Sequence, residues 1–267
     1  MSSLGIGVLT WRSPANLDRT LQSHEAGGLW PLVDQRLVFV QEGDADSVAV
    51  ARNAGYEVAT SRENLGIFGG FQALGRAMRT DLILPNENDF QIITSPETTA
   101  SELAHARSLI DTGQADIVML RSRKEPGEPF FQAKYHAFFP EGADTMTARL
   151  RRILRPFKAR RMAARGIRLF EDAAQRAPFA LQEIAPGWNM TTSRWQTWSN
   201  NPCLLRRDFF NDVIIAKADQ TPTRRRINGH KNLEMELNSR WWRAQAFRIA
   251  QGPGIFSHDR VGYRGYD

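Results

Sequence analysis

The chain reads as an α/β protein with a mostly parallel central sheet flanked by helices. Apolar runs of strand length alternate with amphipathic runs of helix length over the first ninety residues or so, Gly and Pro punctuation separates them, and polar clusters recur just past the apolar runs. In open sheets of this kind, ligands bind beyond the carboxyl ends of the strands.

The elements follow in order. Leu4–Thr10 is a short apolar run suited to a buried strand, closed by Trp11-Arg12-Ser13-Pro14. Ser13 stands as a helix N-cap with Pro14 in the first turn, and Leu17, Leu21 and His24 recur at helical spacing up to Gly27-Gly28. A second strand is predicted over 36–41, ending at Glu42-Gly43-Asp44, then a short helix over 47–54 closed by Gly55, and a third strand over 56–60. Asn64-Leu65-Gly66 opens a helix reaching Met78. A fourth strand over 81–84 runs into Pro85-Asn86-Glu87-Asn88-Asp89. Pro85 is unusual there, because proline cannot donate to a ladder. A helix over 101–112 and a buried strand over 116–120 follow.

This ordering suggests one domain spanning 1–267, with a first half (1–122), a helical and loop insertion (123–201) and a closing segment (202–267). The insertion carries a basic helix and a Trp-rich loop. The closing segment predicts a strand at Cys203-Leu204-Leu205, then a helix from about 233 to 250 with Leu233, Leu237, Trp241 and Ala244 as its buried stripe. Gly252-Pro253-Gly254 breaks that helix before Ile255-Phe256-Ser257-His258.

Composition narrows the class. The 267 residues are 42% hydrophobic and 24% charged, which suits a folded chain with a real core and not a disordered one. Thirty-five Lys and Arg against 29 Asp and Glu leave a net charge of +6, which favours anionic partners. The single cysteine, Cys203, excludes an intramolecular disulfide and a cysteine-cluster zinc site. The five histidines are scattered with no HExxH pair. The N-terminus lacks a basic leader, and no apolar run approaches the roughly 18 residues of a membrane span. These features are expected of a soluble, cytoplasmic protein.

The first chemical clue is Glu87-Asn88-Asp89. Side chains at i and i+2 of an extended segment share a face, and two carboxylates on one face bind a divalent cation through oxygen, with a diphosphate completing the shell. Taken alone, the triplet also fits a solvated turn.

With Glu42 after the second strand, Asn64-Leu65-Gly66, the Glu-Asn-Asp triplet, Leu204-Leu205-Arg206-Arg207, Glu234-Met235-Glu236-Leu237 and Gly254-Ile255-Phe256-Ser257-His258 in this order, the sequence resembles GT-A-fold, Rossmann-like glycosyltransferases, particularly family 2. The resemblance covers residues 5–90 and 202–258. It implies a nucleotide-sugar site formed by Thr10, Arg12, Glu42, Asn64 and Gly66. It also implies a Mn2+ or Mg2+ ion held by Glu87, Asp89 and His258, and Glu234 as catalytic base, with Glu236 as the alternative. The departures are Gln41-Glu42-Gly43-Asp44 in place of the familiar Asp-Asp-Gly-Ser, Glu87 in place of Asp, and Leu233-Glu234 in place of Glu-Asp. The implied activity is inverting transfer of a sugar from a UDP- or GDP-sugar to a carbohydrate or glycolipid acceptor, as in cell-envelope synthesis.

Residues 149–168 hold nine Arg and Lys and no acid, and Leu150, Ile153, Leu154 and Phe157 fall on one helical face, with a kink expected at Pro156. Such a segment suits the anionic inner face of a membrane, a phosphate-rich partner or plain packing on the core. Nucleic acid is the less favoured partner. Trp188, Trp195 and Trp198 serve either as core fillers or as platforms for sugar rings. A nucleotidyltransferase, or a non-catalytic membrane- or nucleic-acid-binding adaptor on the same fold, remains the alternative reading.

Overall fold

The structure is a computed structural model that describes residues 2–127, 132–223 and 226–260. Glu128 and Pro129 of the insertion, and Arg224, Arg225 and 261–267 of the closing segment, lie outside the described residues.

Four strands run in parallel as the alternating pattern predicts: β1 (Leu4–Thr10), β2 (Gln35–Val40), β3 (Glu57–Thr60) and β4 (Leu82–Glu87), ordered β3-β2-β1-β4. Their crossovers are α1 (Pro14–Ala26), α2 (Ala45–Asn53) and α3 (Gly66–Ala77). Ser13 is the N-cap residue of α1, yet its side chain makes no capping bond; its Oγ instead accepts from Asn16 Nδ2 at 2.7 Å. Asp44 caps α2 by accepting from Ser47 N.

A short strand β5 (Phe90–Ile92) follows, then α4 (Pro96–Asp111) and β6 (Ile117–Arg121). The insertion begins with α5 (Gln132–His136), α6 (Met146–Leu154), α7 (Pro156–Ala164) and α8 (Ala173–Arg176). Pro156 therefore begins a new helix, where its missing N–H costs nothing, instead of kinking a single one. Not all of the remaining described residues of 123–201 are loop. Strands β7 (Gln182–Ala185) and β8 (Trp188–Thr192) extend the main sheet, so the Trp-rich stretch begins as a buried strand.

β9 (Cys203–Arg206) lies antiparallel between β4 and β6. It pairs with β4 only at Leu82 and Ile83, so Pro85 lies past the end of that ladder, which is why a proline is tolerated in a central strand. A π-helical turn (Phe209–Ile215) leads into α9 (Ala216–Gln220), followed by the hairpin β10 (Arg226–Ile227) and β11 (His230–Lys231).

The predicted long helix over 233–250 is replaced by two short ones, α10 (Leu233–Leu237) and α11 (Arg240–Gln245), and then by the strand β12 (Arg248–His258). Asn238 and Ser239 break the helical run, and Trp242, not Trp241 or Ala244, is the fully buried residue. The Gly252-Pro253-Gly254 run is not a helix stop but an irregularity within β12, where pairing with β6 shifts between Gln251 and Phe256.

The core has two halves, one on each face of the sheet. Leu4, Ile6 and Val8 of β1 pack with Leu17 and Leu21 of α1 and Leu103 and Leu109 of α4. On the other face α3 (Phe71, Leu74), Phe210, Leu233, Leu237 and Trp242 cover the sheet. Gly7 lies opposite Leu74, and a Cβ there would sit 2.9 Å from it, so the glycine sets how closely α3 approaches.

His24, at the end of α1, is fully buried, its Nδ1 within 2.9 Å of the Tyr56 hydroxyl. Burial lowers its pKa from 6.5 to about 3. The unfolded chain therefore takes up a proton below about pH 6.5 that the native state refuses until about pH 3, and stability falls as pH falls through that window. The slope reaches at most about 1.4 kcal/mol per pH unit. Urea unfolding of His24→Asn between pH 7 and 4 is expected to give a flatter profile than the native chain, and parallel profiles would refute this role.

Candidate functional site

The ends of β1, β2 and β4 lie level with one another. Thr10 pairs with Val40 and Leu9 with Glu87, so Trp11-Arg12, Gln41-Glu42 and Glu87-Asn88-Asp89 line one edge of the sheet. This is where a parallel sheet binds ligands.

The metal-type triplet is not extended throughout. Glu87 ends β4, and Asn88-Asp89 form a turn into β5, so the shared-face argument does not hold in its simple form. The turn nevertheless keeps the two carboxylates within electrostatic reach. Desolvation, then the negative charges of Asp89 and Glu234, pushes the Glu87 carboxyl well above its ordinary value. Asn88, a residue whose role the sequence did not reveal, fixes the turn. Its Nδ2 donates to Thr10 Oγ1 at 2.8 Å and its carbonyl accepts from Thr20 Oγ1 at 2.8 Å. Thr10 is thus buried and engaged by the acidic turn.

His258 arrives through strand pairing. β12 runs antiparallel to β5 with His258 opposite Phe90, which sets its imidazole beside Asp89, Nε2 to Oδ2 3.1 Å. Arg260 Nε lies 3.7 Å from the same oxygen. The other oxygen, Asp89 Oδ1, is buried with no hydrogen-bond partner. Among the described residues no three His, Cys, Asp or Glu side chains form a closed metal centre. The donor set still fits a cation whose shell is completed by a ligand. Two donors adjacent in an octahedron of about 2.1 Å radius are about 3 Å apart, the spacing of Asp89 and His258, and Asp89 keeps a spare buried oxygen.

Glu234 lies in the first turn of α10, which Asn232 caps by accepting from Met235 N at 2.9 Å. Its Oε1 accepts from Asn200 N at 2.9 Å, and its charge acts on Glu87 and on the guanidinium groups of Arg165 and Arg168. Glu236 is buried on the other side of the turn, only 2% exposed. The geometry therefore brings Glu234, not Glu236, to the acidic cluster. Arg168 is also buried, its Nη2 donating to Thr197 O and Ser199 Oγ. Burial, then neighbouring Arg165, lowers its pKa to about 9. Sequence reasoning missed these arginines, because they belong to a segment that read simply as a basic helix.

At the other end of the edge, Glu42 Oε2 accepts from Trp11 Nε1 at 3.0 Å and from Arg12 Nε at 2.6 Å, and these bonds, Trp11 first, hold its carboxyl below the ordinary range. Arg12 (φ 44°) and Glu42 (φ 61°) both adopt left-handed backbone. Such residues cost of order 1–3 kcal/mol each, whereas an exposed ion pair returns at most about 1 kcal/mol. The pair cannot repay the strain, which marks these strand ends as shaped for something other than stability.

Asn64 and Gly66 form a turn: Asn64 Oδ1 accepts from Gly66 N at 2.8 Å. Gly66 (φ 67°) admits His230 of the hairpin, whose Cβ would lie 2.3 Å from an added Cβ. Of the three tryptophans, Trp188 and Trp198 are buried in the core, and Trp195 lines the large cavity between the insertion helices and residues 193–197.

No protein-family model matches the chain, and no curated protein matches its sequence. Solved structures do resemble it. S. aureus TarS aligns with TM-score 0.53 at 15% identity over 97% of this chain and 37% of that one. The mannosyltransferase PcManGT from Pyrobaculum calidifontis, in complex with GDP-Man and Mn2+, aligns at 0.55 and 9% identity over 99% and 59%. Glucosyl-3-phosphoglycerate synthase from Mycobacterium tuberculosis, in complex with Mn2+, UDP and phosphoglyceric acid, aligns at 0.51 and 14% identity over 98% and 72%. The chain therefore has the GT-A fold, and it spans less than two thirds of the first two proteins.

A crowded carboxyl group costs stability. Because its raised pKa means the folded state holds the Glu87 proton more tightly than the unfolded chain, the native fold loses stability as pH rises above 4.5, Glu87's ordinary value. Glu87→Gln is expected to raise the metal-free melting temperature at neutral pH, by a few degrees for each kcal/mol relieved. A lower melting temperature would contradict the electrostatic reading.

Proposed function

We propose that the chain is a glycosyltransferase that moves a sugar from a UDP- or GDP-sugar to an acceptor hydroxyl, with inversion. The observation that carries this reading is the meeting of Glu87, Asp89, His258 and Glu234 at the carboxyl end of β4. The nucleotide-sugar and Mn2+ ligands of the similar PcManGT structure support it.

Glu87 and Asp89 would hold a divalent cation, with His258 beside Asp89 as the third candidate. When bound, the cation supplies positive charge to the departing diphosphate. Arg12 and Glu42 receive the nucleotide at the strained strand ends, while Thr10, Asn64 and Gly66 shape the loops around it. Glu234 takes the proton of the acceptor hydroxyl, its carboxylate oriented by the Asn200 N–H. Inversion needs one such base on the acceptor side, and Glu234 fills that role.

No helix among the described residues is long and apolar enough to cross a membrane. A surface attachment is a different matter. Met146, Leu150, Ile153, Leu154 and Phe157 are each more than half exposed on α6 and α7, amid nine basic residues. We assign this face to an anionic membrane surface, where apolar insertion and charge act together. That location suits a glycolipid or cell-envelope acceptor.

Two measurements test these assignments. Calorimetry with GDP or UDP plus Mn2+ is expected to show metal-dependent binding that strengthens as pH rises, since the cation must displace the Glu87 proton. Asp89→Ala should abolish that dependence, and Glu234→Gln should leave binding intact while lowering turnover about a hundredfold or more. Nucleotide binding indifferent to metal and to Asp89 would refute the reading. Separately, Leu154→Asp with Phe157→Asp should release the chain from phosphatidylglycerol vesicles in cosedimentation, and undiminished binding would remove the membrane assignment.

A further inference from the structure

Behind Glu234 lies a cavity of about 510 Å³, within the size range of small-molecule sites. Its walls come from α5 and the residues just after it, α6, α7, residues 193–197, Asn238 and α11. Most ligand pockets are apolar with a few polar groups, but this one is lined by eight Lys and Arg residues, among them Arg155, Lys158, Arg161, Arg165 and Arg194, and by no acid. Among the described residues none of the eight forms an ion pair with a carboxylate; Arg165 is occupied by Thr197 Oγ1 and Arg151 by the carbonyl of Ala137.

The cavity opens to solvent and Lys134, Arg151, Arg155, Lys158 and Arg194 are exposed, so repulsion acts chiefly on the less exposed cations, Arg161, Arg165 and Arg243. Burial and the adjacent Arg161 already lower the pKa of Arg165. An anion in the cavity relieves that repulsion through charge-assisted hydrogen bonds.

A second, independent feature points to a ligand with hydroxyls. Gln196 lines the cavity, is only 2% exposed, and neither its Oε1 nor its Nε2 has a hydrogen-bond partner. Asn238 Oδ1, also without a partner, lines the same space. Buried amides left unpaired are expensive, and a polar ligand in the cavity would satisfy these two. Trp195 adds an aromatic wall. The cavity adjoins the candidate base: Asn238 N donates to the Glu234 carbonyl, and the Glu234 charge acts on Arg165.

We infer that this cavity is the site of a phosphate-bearing, polyhydroxylated acceptor, its phosphate held by the arginines and lysines and its hydroxyls by Gln196 and Asn238. The acceptor role rests on the assignment of Glu234 as the base; the phosphate preference rests on the cavity alone. Phosphate could arrive free in solution or as a lipid headgroup, and the test separates the two.

The full chain is titrated calorimetrically with glycerol 3-phosphate and with glycerol, and in parallel with phosphatidylglycerol and phosphatidylcholine vesicles, which present the same headgroup chemistry on a lipid or a zwitterionic control. Arg161→Ser with Arg194→Ser is compared with the uncharged apolar-face variant Leu154→Ser with Phe157→Ser. Glycerol 3-phosphate is expected to bind and glycerol to bind far less. The arginine variant should weaken phosphate binding about tenfold, and the apolar-face variant should leave it unchanged. Phosphate binding undiminished in the arginine variant overturns the inference, as does binding of phosphatidylglycerol vesicles without any of glycerol 3-phosphate, which would assign the cations to a lipid surface. Nucleotide binding with Mn2+, measured on the same samples, confirms that the arginine variant is folded. Should nucleotide fail to bind to every form, the donor assignment falls while the phosphate titration still judges the cavity.

Discussion

Mutual repulsion among carboxylates at the end of β4 is the constraint from which the rest of the site follows. Glu87 and Asp89 sit in one turn and Glu234 comes from a distant part of the chain, and a fold selected for stability alone would keep them apart. Each is held by structure with little freedom to relax. Asn88 ties the turn to Thr10 and Thr20, the β5–β12 register sets His258 against Asp89, and the cap of α10 fixes Glu234 against the Asn200 amide. The arrangement concentrates acidic groups at the end of β4, while Arg165 and Arg168 of the insertion lie within reach of the Glu234 charge.

That opposition of charge organises the molecule. The strand-end edge has an acidic centre, the charged residues of the cavity beside it are all cationic, and the charge of Glu234 reaches both. The nucleotide diphosphate and cation proposed above would meet the first field, and the proposed phosphorylated acceptor the second.

Much of the first half was legible in the sequence, because its crossovers are local. The apolar run of β1, the Asp44 turn and the Asn64-Gly66 turn are each encoded within a few residues of the element they begin or end. The closing segment was not legible for a converse reason. Leu233, Leu237 and Trp241 recur at helical spacing, but β12 is a strand only because β5, β6 and β8 pair with it from distant parts of the chain. The same holds at the site. Glu87, Asp89, His258 and Glu234 stood out through short motifs, whereas Asn88, Arg165, Arg168 and Gln196 acquire their roles solely from what packs against them. Tryptophan showed the limit plainly: three similar residues in one stretch took up two core positions and one cavity wall.

The position of β9 has a consequence for how the chain comes off the ribosome. It bridges β4 and β6, yet it is made only after residues 122–202 have emerged. Until then the parallel half has an open flank at β4, rich in unpaired amides and apolar side chains, which is the kind of surface that recruits other nascent chains. Synthesis rate through the insertion thus becomes a determinant of yield, and chaperone demand should peak before Cys203 appears, long after the first four strands could have collapsed together.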